Sequence, residues 1–199
     1  MRYKTKRAIV YCLYPLVWPF GLVSWLPYKL FRNEAVFGFF SKLLSLIPGK
    51  LGQYIRTAFY KMTLTECHYD LMVGFCSFFS HPAVKVGRKV GLGSFTIIGT
   101  ASIGDNVMIS SRVSVLSRNS QNGRAPGTHA PSTAVHAGTT TIGTGCWIGE
   151  GAIIMASLGQ RCMVSAGSVV TQPAPDRVVA IGNPARFLKS AKGTAHAPS

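Results

Sequence analysis

An aliphatic residue followed by glycine recurs about every six positions: Val86-Gly87, Leu92-Gly93, Ile98-Gly99, Ile103-Gly104, then Ile142-Gly143, Ile148-Gly149 and Leu158-Gly159. Neither the helical period of about 3.6 residues nor plain strand alternation produces that spacing. A unit so short cannot bury its own apolar residue. Units must therefore stack, each short strand resting on the one below with its aliphatic side chain turned into a shared core. The spacing predicts a mainly β chain wound as a parallel β-helix. Past the glycines, Ile97, Ile103, Ile109 and Val115 keep the step, as do Ile142, Ile148 and Ile154, and then Leu158, Val164 and Val170. The frame slips at Ile97 and Ile98 and again between Ile154 and Leu158. The glycines are expected at tight corners, where a Cβ would clash or force an unfavourable dihedral.

Three blocks carry a family resemblance: Cys146-Trp147-Ile148-Gly149-Glu150-Gly151-Ala152, Ser165-Ala166-Gly167-Ser168-Val169-Val170-Thr171, and Gly182-Asn183-Pro184-Ala185-Arg186. In that order they resemble the last coils and closing segment of the hexapeptide-repeat acyltransferases, over roughly Pro82 to Leu188. The stretch from Ile47-Pro48-Gly49-Lys50-Leu51-Gly52 to Tyr60 resembles the branch that O-acetylates bacterial exopolysaccharide or capsule sugars. The resemblance implies a left-handed β-helix, an exception to the usual right-handed crossover. It implies acetyl-coenzyme A as co-substrate with no permanently bound cofactor, and a homotrimer with active sites between subunits. It also implies coenzyme A binding along Gly149, Ala152, Ala166, Gly167 and Ser168, with Arg186 and Lys189 near the nucleotide phosphates. Small side chains there would leave main-chain groups open to an extended pantetheine arm.

Composition divides the chain. Of 199 residues and a net charge of +15, residues 1 to 61 hold ten Lys or Arg against Glu34 alone. The same third is the most apolar, and the combination points to an anionic membrane surface. A nucleic-acid partner is disfavoured, because the cations punctuate apolar runs and line no reading helix. Ala8 to Tyr28 carries no charged side chain, long enough to span a bilayer at about 20 residues. Pro15, Pro19 and Pro27 interrupt it, and Arg2, Lys4, Lys6 and Arg7 on one side mirror Lys29 and Arg32 on the other. A re-entrant or interfacial hairpin at the cytoplasmic face of the bacterial inner membrane is favoured over a span. A hydrophobic helix packed on the β-helix or on a neighbouring subunit is the alternative. Short helices are predicted over 35–47 and 53–64, separated by Pro48-Gly49. The organisation read from the sequence is a hydrophobic basic helical region over 1–66, a β-helix over 67–188 with an excursion at 116–141, and a disordered tail over 189–199.

Acyl transfer from a thioester needs a base for the acceptor hydroxyl, donors for the oxyanion and a groove for the pantetheine arm. Leu116 to Thr141 lacks aliphatic periodicity and must leave the solenoid as an excursion, the kind of segment that commonly carries function. In the family the catalytic histidine lies near the entry to this loop, often after a glutamine. Here Gln121 is followed by Asn122, which cannot act as a base. His129, flanked by Gly127 and Pro131, and His136 are the candidate bases. Gln121, Asn122 and Arg124 are candidate ligands for acceptor hydroxyls. His68 and His81 are placed in the helix-to-coil junction. Five cysteines show no paired or zinc spacing, and no metal site is expected.

The expected activity is acetyl-coenzyme A-dependent O-acetylation of a sugar in a surface polysaccharide or its lipid-linked precursor. A catalytically inactive β-helix scaffold subunit and a serine acetyltransferase-like enzyme remain as alternatives.

Overall fold

The computed structural model describes residues 34–117 and 138–189, with Pro15, Val17 and Pro19. Two helices come first, α1 (Ala35–Ser45) and α2 (Gly49–Thr63). Coils of short strands follow. The first holds Met72–Val73 (β1), Phe78–Phe79 (β2) and Lys85–Val86 (β3). The second holds Gly91–Leu92 (β4), Ile97–Ile98 (β5) and Ala101–Ile103 (β6), and the third Met108–Ile109 (β7), Ser114–Val115 (β8) and Thr140–Ile142 (β9). Trp147–Ile148 (β10) and Ile153–Ile154 (β11) belong to the fourth, Met163–Val164 (β12) and Val169–Val170 (β13) to the fifth. Val178–Ile181 (β14) and Arg186–Lys189 (β15) come last among the described residues.

Equivalent strands pair in parallel from coil to coil and build three faces. The first runs β1-β4-β7-β10-β12-β14-β15, the second β2-β5-β8-β11-β13 and the third β3-β6-β9, extended by bridges through Leu158 to Ala174. Only β15 runs antiparallel within these sheets. The parallel β-helix expected from the repeat is the observed architecture. Its core is a set of stacked columns, such as Val73, Leu92, Ile109, Ile148, Val164 and Ala180 behind the first face. Phe79, Ile98, Val115, Ile154 and Val170 stack likewise behind the second.

These columns explain the slips in the repeat. From the first face to the second the step is always six residues, as from Val73 to Phe79 or Ile148 to Ile154. From the third to the first it is again six, as from Val86 to Leu92 or Ile142 to Ile148. From the second to the third it varies: seven from Phe79 to Val86, five from Ile98 to Ile103, four from Ile154 to Leu158, and 27 from Val115 to Ile142. One edge of the prism absorbs all the length variation, and the long excursion is its extreme case. The six-residue step drawn through Ile97 is therefore corrected. Ile97 faces outward and Ile98 occupies the core.

The expectation for the glycines also needs division. Residues with positive φ in the coils fall at the two six-residue corners: Cys76, Phe95, Arg112, Gly151 and Gly167 at one, Lys89, Asn106, Gly145, Arg161 and Arg177 at the other. Most are not glycine. The glycines of the aliphatic-glycine pairs answer a different demand, close stacking. A Cβ on Gly93 would lie 2.4 Å from the Ser111 nitrogen, and one on Gly149 2.6 Å from the Ala166 nitrogen.

The first coil has no coil beneath it, so its main-chain groups need other partners. Side chains of the two helices supply them. Arg56 donates to the Val73 carbonyl at 3.0 and 3.2 Å, and Thr57 Oγ1 donates to that of Leu71 at 2.9 Å. Ser41 Oγ donates to the Phe79 carbonyl at 2.9 Å, while the Phe79 N–H donates to the Tyr60 hydroxyl. Arg56 also reaches the Ile47, Leu44 and Ser45 carbonyls at the end of α1, where unpaired carbonyls and the helix dipole favour a cation. Helix α2 starts at Gly49, four residues before the expected 53. Pro48 takes an extended backbone just before it, a place where its missing N–H costs nothing.

Pro15, Val17 and Pro19 have helical backbone, and Val17 is buried with the main core. The rest of the apolar run from 8 to 28 lies outside the described residues. Among the described residues no helix is long and apolar enough to cross a membrane.

Candidate functional site

The excursion leaves the variable edge after β8, and the described chain resumes at Gly138. Its neck is pinned. Thr140 Oγ1 donates to the Leu116 carbonyl at 2.7 Å, the Thr100 N–H to Ser117 Oγ at 2.8 Å, and the Thr141 N–H to Ser157 Oγ at 3.0 Å. Beyond it the register resumes unchanged, with Ile103 opposite Ile142 and Met108 opposite Trp147. The coils therefore present the excursion from a rigid base. The candidate bases His129 and His136, and the candidate acceptor ligands Gln121, Asn122 and Arg124, lie outside the described residues.

On the same edge, in the first coil, His81 Nδ1 lies 2.5 Å from Glu34 Oε2. This pair ties the start of α1 to the β-helix and was not legible in the sequence, since 47 residues separate its members. His68 lies between α2 and β1.

The residues expected to line a coenzyme A groove come together by stacking. Gly149 and Ala152 in the fourth coil sit beneath Ala166, Gly167 and Ser168 in the fifth, joined by Gly149 N–H to the Val164 carbonyl, Gly167 N–H to Glu150 and Ile153 N–H to Ser168. Only Ala166 and Gly167 are exposed. Ala152 and Ser168 belong to an inward column with Ser77, Thr96 and Val113, and Ser168 Oγ accepts from the Gly182 N–H at 3.1 Å. The expectation of an open floor at Gly149, Ala152 and Ser168 is thus corrected: they are small because the core or the next coil occupies the space. Arg186 and Lys189 are exposed at the two ends of β15.

A groove of about 480 Å³ runs along the first face, lined among others by Gln53, Met108, Ser110, Ser111, Trp147 and Glu150. The Trp147 indole is 45% exposed between Met108 and Met163 on the neighbouring strands. Each precedes an inward aliphatic residue and so points outward, a signal that strand alternation in the sequence already contained. An exposed indole rimmed by an amide, hydroxyls and a carboxylate suits a ligand with one apolar face and a polar periphery.

Burial pushes the Cys67 and Cys146 thiols up to about 12, far from the thiolate form. No group of His, Cys, Asp or Glu among the described residues could hold a metal ion.

Residues 139–172 match the family model described as the hexapeptide repeat of succinyl-transferase. The fold is shared with a maltose O-acetyltransferase from Clostridium difficile 630 at a TM-score of 0.61, with 21% identity over 85% of this chain and 92% of that one. The chain carries the hexapeptide repeat over those residues and shares the fold of that neighbour. A galactoside acetyltransferase solved in complex with coenzyme A has a TM-score of 0.60, at 21% identity over 80% of this chain and 81% of that one. Among curated relatives, the probable serine acetyltransferase 1 of Oryza sativa subsp. japonica is 39% identical over 118 residues, which are 57% of this hexapeptide-repeat chain and 35% of the relative. The chain spans about a third of the length of curated relatives such as this one and the serine acetyltransferase of Salmonella typhimurium.

Proposed function

We propose that this chain is an acetyl-coenzyme A-dependent O-acetyltransferase acting on a sugar of a bacterial surface polysaccharide or its lipid-linked precursor, at the cytoplasmic face of the inner membrane. The 39% identity to a probable serine acetyltransferase, over 118 residues, carries the acetyl-transfer part. The groove beside Trp147 supports a sugar, because an indole face packs on the C–H face of a pyranose while Gln53, Ser110, Ser111 and Glu150 take its hydroxyls. A left-handed winding and a homotrimer with sites between subunits belong to the same reading.

In this mechanism the excursion supplies the base. The imidazole of His129 or His136 takes the proton of the acceptor hydroxyl as its oxygen bonds to the thioester carbonyl carbon. Backbone N–H groups hold the resulting oxyanion. The carbon–sulfur bond then breaks, and the imidazolium returns the proton to the departing thiolate. Acetyl ester and free coenzyme A are the products.

A second reading, serine as acceptor, is favoured by the names of the curated relatives. Thiol release from acetyl-coenzyme A, with free and lipid-linked oligosaccharides and L-serine offered in parallel, separates the two. Sugar-dependent release is expected, reduced about a hundredfold or more in either His129→Ala or His136→Ala. Release with serine alone replaces the acceptor. Coenzyme A binding without release would point to an acceptor outside the panel, and no coenzyme A binding at all would favour a scaffold subunit.

A further inference from the structure

Helix α1 is apolar on two opposite sides. Phe37, Ser41, Leu44 and Ser45 face the first coil and are buried. Half a turn away, Phe39, Leu43 and Leu46 are 62, 46 and 59% exposed, spaced four and three residues apart as one stripe. Leu51, just past the turn into α2, is 60% exposed. A surface helix ordinarily turns charged residues outward. This one keeps its apolar side on the end of the molecule away from the coils.

Charge identifies the occupant. Lys42 and Lys50 are exposed beside the stripe, Lys42 reaching over the Phe78 ring at 5.8 Å. Glu34, the sole acidic residue among the first 61, is engaged by His81. The 33 residues before Glu34 add Lys29, Arg32 and the basic cluster from Arg2 to Arg7, around an uncharged stretch. Apolar side chains ringed by cations, with no free acid among them, complement an anionic lipid surface.

We propose that the outer face of α1, with Leu51, docks on an anionic bilayer and seats Phe39, Leu43, Leu46 and Leu51 at the acyl boundary, so that the prism stands on its N-terminal end. This rests on the membrane location given under Proposed function and names the surface that contacts the lipid, separate from residues 8–28. In this pose the neck of the excursion sits two coils above the first, roughly 10 Å at the spacing between strands, with the thickness of α1 adding about 10 Å more to the lipid. That is within reach of a sugar tethered to a lipid.

The test is cosedimentation of the full-length chain with vesicles of phosphatidylcholine, with and without phosphatidylglycerol. The double variant Leu43→Asp/Leu46→Asp is run alongside, with its melting temperature and sedimentation coefficient. The unaltered chain is expected to bind only the anionic vesicles. The variant should bind about tenfold or more weakly, with its melting temperature within a few degrees because both leucines are exposed. Equal binding by the variant would overturn this surface and leave the membrane location standing. Binding to neither vesicle by the unaltered chain would remove both. A smaller species in the variant, with vesicle binding unchanged, would assign the face to a second copy of the chain. None of these readings requires turnover, so loss of the acetyltransferase reading would leave them intact.

Discussion

Arg56 shows how one residue can serve an end of the fold. It is 1% exposed, and no carboxylate pairs with it among the described residues. Four carbonyls surround it instead. Burial lowers its proton affinity, yet a guanidinium is basic enough to stay charged, and its planar fork fits several acceptors at once. Arg56→Met should therefore cost about 3 kcal/mol or more, since it leaves carbonyls of both α1 and β1 without donors. Arg56→Lys should recover only part of that, because an ammonium cannot span the same set. Urea denaturation of the three proteins checks both statements. Nothing in the sequence marks Arg56 for this task. Its partners are main-chain oxygens, which have no letter in a sequence, and an arginine on an amphipathic helix reads as a solvated one. Ser41 and Thr57 were hidden for the same reason.

At the scale of the coil, two kinds of glycine meet two demands. Gly93 has no room for a Cβ, with Ser111 backbone 2.4 Å away, whereas Gly151 has positive φ and nothing within 4 Å. Gly93→Ala must push two coils apart and is expected to cost about 3 kcal/mol. Gly151→Ala faces only the left-handed backbone, at about 1 kcal/mol. Thermal unfolding of the pair reads the difference, and equal costs would refute the distinction. The six-residue period was legible because two corners of each coil never change length. It blurred at the second-to-third corner, where steps of four, five and seven residues carry the same inward column. Of the site, the position of the excursion could be read from composition. The buried setting of Ala152 and Ser168 could not, because smallness fits a packed core and an open groove equally well.

Across the whole molecule, buried acids in distant places share one pH response. Burial raises Cys67 and Cys146 from 9.0 to about 12, and Tyr60 from 10.0 to about 12. Between those values the unfolded chain has released protons that the folded chain still holds. The unfolded state then binds fewer protons, so stability falls as pH rises from about 9 toward 12 and is unaffected by these groups below that window. Denaturation midpoints at pH 7, 8, 9 and 10 should show a plateau and then a decline. Cys146→Val, matching Val90 and Val107 in the same column, should make the decline shallower, with Cys67 and Tyr60 sustaining the rest. The two ends of the prism have a further consequence. A stack of parallel coils is in principle endless, since every strand offers the next chain an unpaired ladder, and such edges template fibres. Here the lower edge is occupied by side chains of the helices. The upper one is turned back on itself by β15 and by the Gly182 and Ala185 contacts to Val169. Arg186 and Lys189 place positive charge on that last strand. These two stoppers make a finite molecule out of a repeat that, left open, would polymerise end on end.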